Sequence, residues 1–97
     1  MLNHVVMLTL DEAATAEARD AIVGGLRGLP EEVPGLETID VRTDNGLADG
    51  NAGVFFHMRF VDEESWRAYT PHPAHQVLAR DHILPVLRLK TALQFHD

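Results

Sequence analysis

Residues 66–87, WRAYTPHPAHQVLARDHILPVL, hold the densest titratable chemistry of the chain and punctuate its second half. Pro71 and Pro73 lack N–H groups and push Thr70 and His72 out of the α region, so a helix through Trp66 and Tyr69 is expected to stop near Thr70. A new helix then starts with Pro73 in its first turn, where no N–H is missed. Along it, His75, Leu78, His82 and Val86 recur at i, i+3, i+7 and i+11 and are expected to share one face, beside a stripe of Val77, Leu84 and Leu87. Pro85 should bend or end this helix.

On either side of this broken helix the pattern changes to a period of two. Upstream, 54–61 (VFFHMRFV) places Val54, Phe56, Met58 and Phe60 on one face, and Phe55, His57, Arg59 and Val61 on the other. Asp62 is the expected cap of the helix that follows, with Glu63 and Glu64 at its positive end. Downstream, 88–96 (RLKTALQFH) sets Leu89, Thr91, Leu93 and Phe95 against Arg88, Lys90, Ala92, Gln94 and His96. One apolar and one polar face suggest an edge strand.

The first half repeats the scheme. Residues 2–10 (LNHVVMLTL) read as a strand with apolar residues on both faces, which marks a central position. Residues 11–29 switch to helical spacing, with Asp11 or Thr15 as cap and Ala18, Ile22, Leu26 and Leu29 on one stripe. Gly24, Gly25 and Gly28 weaken its last turns or allow a close neighbour. Pro30, Pro34 and Gly35 end it. Residues 36–43 (LETIDVRT) alternate, but only Ile39 and Val41 make a convincing apolar pair, as in an edge strand. The stretch 44–53 (DNGLADGNAG) lacks any phosphate-binding pattern and reads as a surface turn.

The order βαββαβ in 97 residues is that of one domain, 1–97, with a ferredoxin-like antiparallel sheet. Both helical regions are expected on one face, with the first and third strands central. Val5, Met7, Phe55 and Val61 would then stand bare on the other face. Burying such a side chain is worth roughly 1.5–3 kcal/mol, so a second copy is expected to cover them, the two sheets packing face to face as a dimeric α+β barrel.

Composition narrows the function classes. The net charge of −7 arises in the first fifty residues, where ten Asp/Glu face three Arg, and argues against nucleic acid and anionic membranes as partners. No apolar run approaches the roughly 20 residues needed to span a bilayer. No basic and apolar leader opens the chain, so a cytoplasmic location is expected. Cysteine is absent, which removes thiolate chemistry. His72, His75 and His82 are too dispersed along the chain to converge on a metal, and neither metal nor cofactor is expected.

The opening LNHVVMLTL, the run FVDEESWRAY, the block HPAHQ and the DHILPVL after it resemble the stress-responsive A/B barrel (Dabb) domain, of the dimeric α+β barrel superfamily. The resemblance covers nearly the whole chain and implies a homodimer whose members mostly lack an assigned activity. One branch of that family closes linear polyketides by an aldol-type condensation. Carried over by motif, Tyr69 and His75 would be its tyrosine and general base, with His4 nearby on the first strand. The sequence departs from that branch at Val54, where a histidine is common. By strand alternation His57 faces away from that position.

From the residues themselves, His75 has the intrinsic pKa of a base at neutral pH, and the Tyr69 hydroxyl could hold an enolate oxygen. The structural alternative for His75 is a bond to a backbone carbonyl at the kink. His72, His82, Phe60 and Leu78 are the expected ligand contacts of a small apolar cavity between sheet and helices. If Leu78 or Phe60 sealed His75 or Tyr69 from solvent, cyclase-like chemistry would fail. A further alternative is haem binding, since monooxygenases of the same superfamily use an Asn, a Trp and a His, here matched to Asn3, Trp66 and His75.

Overall fold

A computed structural model describes residues 1–97. Its organising element is β1 (Leu2–Leu10), which pairs antiparallel with β3 (Val54–Phe60) on one side and β4 (Leu87–His96) on the other. With β2 (Leu36–Thr43) beyond β3, the strand order is β2-β3-β1-β4. The two strands with apolar residues on both faces are thus central, and the two weaker ones are edges.

Residues directly opposite one another share a face of the sheet, so the registers assign every side chain. Val6 lies between Phe56 and Ala92, and Leu8 between Val54 and Lys90, on the helix side. Val5 lies between His57 and Leu93, and Met7 between Phe55 and Thr91, on the other side. The helix side carries the core: Leu2, Val6, Leu8, Phe56, Met58 and Phe60 are buried with Ile22, Leu26 and Leu29. The far side has no cover within the chain. Met7 is 46 % exposed and Leu93 57 % exposed.

The polar face of β4 is the one turned toward the helices, and its apolar face joins Val5 and Met7 outside. Leu36 departs from simple alternation. It pairs with Phe60 and is buried, because the register shifts between Leu36 and Thr38 and returns Leu36 to the side of Val41.

The first helix is shorter than its periodicity suggests. Thr15 caps α1 (Ala16–Arg27) by accepting a bond from the Ala18 N–H, while Asp11 caps a separate turn through the Ala13 N–H. A 3₁₀ turn at Leu29–Glu31 follows. Asp62 caps α2 (Glu63–Tyr69) through the Ser65 N–H, as its position suggested. The loop after β2 is a surface turn in which Asp44 and Asn45 accept bonds from the Gly46 and Leu47 N–H groups. No helix is long and apolar enough to cross a membrane.

The proline block behaves half as expected. His72 is extended and caps α3 (Pro73–Leu78), its Nδ1 accepting from the Ala74 N–H. Thr70 stays in the α region despite preceding Pro71. Two bonds outweigh that local preference: the His72 N–H reaches the Tyr69 carbonyl, and the Thr70 carbonyl accepts from His75. A π turn then runs from Ala79 to Ile83, closed by the Leu84 N–H on the Ala79 carbonyl at 2.8 Å.

The four-residue recurrence of α3 and the wider π turn bring His75, Ala79 and Ile83 to the sheet side. Leu78 and His82 instead face the groove beside Gly25 of α1, so the single face expected for His75, Leu78 and His82 is split. Gly25 allows this approach, since a Cβ there would lie 2.5 Å from Leu78 Cδ1.

Gly35 holds the start of β2 against α2. Its φ of +82° lies in the left-handed region, and a Cβ would collide with Ser65 Oγ and Cβ. Gly35→Ala is therefore expected to destabilise the fold by about 2 kcal/mol or more, combining backbone strain with overpacking. Urea unfolding measures this directly; an unchanged midpoint would contradict the assigned contact.

Candidate active site

A cavity of about 340 Å³ opens between the sheet and the broken helix. Its floor is apolar, formed by Val6, Leu8 and Phe56, all buried. Trp66 and Tyr69 come from α2, and His75, Ala79 and Ile83 from α3 and the π turn. The wall on the β4 side is Lys90, Ala92 and Gln94, which are exposed together with Leu84, so the cavity opens along that edge.

His75, Tyr69 and His4 therefore meet in one place. Tyr69 is the last residue of α2 and its ring stands edge-on to His75, centroids 4.6 Å apart. The His4 ring lies 6.4 Å from that of Tyr69 and 6.0 Å from that of Trp66. Phe60 is fully buried behind Tyr69, with ring centroids 5.6 Å apart, and fixes the tyrosine without entering the cavity. Neither Phe60 nor Leu78 is part of the cavity wall, so neither seals His75 or Tyr69.

The tautomer of neutral His75 follows from its partner. A carbonyl oxygen can only accept, so Nδ1 carries the proton that bonds the Thr70 oxygen at 2.9 Å. Nε2 is left with its lone pair. Burial lowers the His75 pKa from its ordinary 6.5, against the opposing effect of the Thr70 bond and with a smaller push from Lys90. His75 is thus an unprotonated base at neutral pH.

Burial also lowers His4 to about 4, helped by the charges of Lys90 and His75, and its Nδ1 accepts from the Gln94 amide at 2.9 Å. Burial pushes the Tyr69 hydroxyl up, keeping it a donor throughout the physiological range.

Other expected contacts lie elsewhere. His72, Leu78 and His82 line a wider groove of about 630 Å³ on the outer side, with Gly25, Leu29 and Glu32, and do not reach the His75 cavity. Asn3 is on the helix-free face, where His57 Nε2 meets its Oδ1 at 2.8 Å and its Nδ2 donates to Asp97. The sheet therefore separates Asn3 from Trp66 and His75, and the three residues suggested for haem do not form one site. Val54 is buried opposite Leu8, and His57 lies across the sheet from it, as alternation required.

Lys90, Gln94 and Phe56 are cavity residues that sequence reasoning passed over. Alternation places Phe56 on one face of its strand with Val54, Met58 and Phe60, and Lys90 and Gln94 on the polar face of an edge strand. Their shared parity with Ala92 was visible, but nothing local told which face of β4 meets the helices.

Among curated proteins, none matches the sequence. Among solved structures, a dimeric ferredoxin-like protein of unknown function from Thermobifida fusca is 28 % identical with a TM-score of 0.85, over 97 % of this chain and 88 % of that one. A Dabb family protein with a ferredoxin-like fold from Mesorhizobium loti is 18 % identical with a TM-score of 0.78, over 99 % and 95 %. A hydroxynitrile lyase from Passiflora edulis is 14 % identical with a TM-score of 0.82, over 97 % and 90 %. The sequence profile of one family spans residues 2–96, and on that match the chain belongs to the stress responsive A/B barrel domain family.

Proposed function

We propose that the protein works as a homodimer joined through its helix-free sheet face, and that each protomer binds a small, mainly apolar ligand between sheet and helices. The convergence of His4, Tyr69 and His75 on one apolar cavity carries the ligand half of this reading. The dimer half is supported by exposed Met7, Leu89, Leu93 and Phe95, and by neighbours of this fold described as dimeric. Docking through that face leaves the cavity mouth free, because the two lie on opposite sides of the sheet.

The bond from His75 to Thr70 favours a second, more specific reading: cofactor-free acid–base chemistry on a carbonyl compound. With Nδ1 committed to Thr70, Nε2 can take a proton from the carbon beside the carbonyl. The Tyr69 O–H can donate to the oxygen on which charge develops. A hydroxynitrile lyase shares the fold, which supports the reading by analogy only.

Exchange of the α-protons of a simple aryl ketone in D₂O, followed by NMR, tests this chemistry. The protein should accelerate exchange, and His75→Ala should reduce the acceleration by about 100-fold or more. Because the His75 pKa is lowered from its ordinary 6.5, the rate should fall as pH drops and His75 takes up a proton, with the midpoint of that loss below 6.5. Wild-type and His75→Ala rates that coincide would remove the catalytic reading. Separately, Leu93→Asp places a charge on the helix-free face and should turn the dimer into a monomer in sedimentation runs; a dimer persisting in that variant would contradict the assigned face.

A further inference from the structure

Lys90 is the one formally charged residue in the wall of the His75 cavity, where no carboxylate is present. The chain holds 15 Asp and Glu against 8 Lys and Arg. Even so, every side-chain ion pair is made by another cation: Arg42 with Asp40, Arg59 with Asp97, Arg67 with Glu63 and Arg80 with Asp81. Arg88, two residues before Lys90, shares a shallow groove with Asp11 and Glu12. Lys90 is thus an unpaired ammonium in an acidic chain, placed at the open side of an apolar cavity.

Its position in the sheet is fixed. Lys90 pairs with Leu8 on the floor, two residues from Ala92 and four from Gln94 on the same face. Its charge is felt at both imidazoles, lowering His4 and His75. An anionic group held at Lys90 is therefore close to His75, while an apolar body behind it can rest on Val6, Leu8 and Phe56.

We infer that the ligand of this cavity is a carboxylate with an apolar body, its carboxylate paired with Lys90 at the β4 edge. The inference rests on the reading of the cavity as a ligand site and adds the chemical class of the ligand. Lysine suits a partly solvated anion as a point charge that needs no fixed bidentate geometry. The flexible stem lets the ammonium follow the ligand into the mouth.

Matched acid and amide probes separate the two claims. Phenylacetate and octanoate, each beside its amide, are titrated at pH 7 into the whole protein, with His4, Tyr69 and His75 NMR signals as readout. The acids should bind about 5- to 10-fold tighter than the amides, the gain of one charge-assisted contact discounted for solvent exposure. Lys90→Met should remove that preference and leave amide affinity within about 2-fold, and Lys90→Arg should restore part of it. Acid and amide binding equally, or a preference that survives in Lys90→Met, overturns the Lys90 assignment alone. If no probe shifts His4, Tyr69 or His75, the cavity reading falls and this inference with it.

Discussion

The pairing of β1 on both of its edges governs the rest of the molecule. A strand that alternates and is buried on one face tolerates no slip, because moving one residue would send Leu8 and Val6 outside and Asn3 and Met7 into the helices. Once Val6 is set opposite Phe56 and Ala92, the core, the cavity floor and the bare face are all determined. The helices cover one side, so the apolar residues of the second side are left for another surface to bury.

The cavity exists because the second helical region does not run straight. Pro71 and Pro73 break it, and the Thr70 carbonyl at that break accepts a hydrogen bond from the His75 Nδ1–H. The π turn from Ala79 to Ile83 then widens the path of the chain before Pro85 ends it. A regular helix would have put His75, Leu78 and His82 in a row. The observed one divides them between the inner cavity and the outer groove, and so leaves His75 with Tyr69 and His4 rather than with other histidines.

Much of this was legible in the residues. Period-two alternation located the four strands, and two-sided apolarity identified β1 and β3 as central. Thr15 and Asp62 were recognisable caps, and the HPAH block supplied the cap and first turn of α3. What could not be read was long-range. The register shift at Leu36, the π turn and the inward turn of Lys90 and Gln94 all depend on contacts distant in sequence, where local periodicity carries no information. The separation of Asn3 from Trp66 and His75, by contrast, follows from strand parity, since Asn3 shares the face of Val5 and Met7 and the helices lie on the other.

The helix-free face is not uniformly apolar. Asn3, buried among its neighbours, bonds His57 and Asp97, and Asp97 in turn holds Arg59 at 2.6 Å. In the proposed dimer, such a fixed polar cluster beside Val5, Met7 and Leu93 would have to be matched by the second copy as well as the apolar residues. Whether this face is covered in solution can be read from the methionine methyls. Met58 is fully buried within one protomer while Met7 is 46 % exposed there. In the presence of a soluble paramagnetic agent, a dimer joined through this face should shield the Met7 methyl nearly as well as that of Met58. A Met7 methyl relaxed as strongly as a free side chain would mean that this face is bare and the proposed dimer wrong.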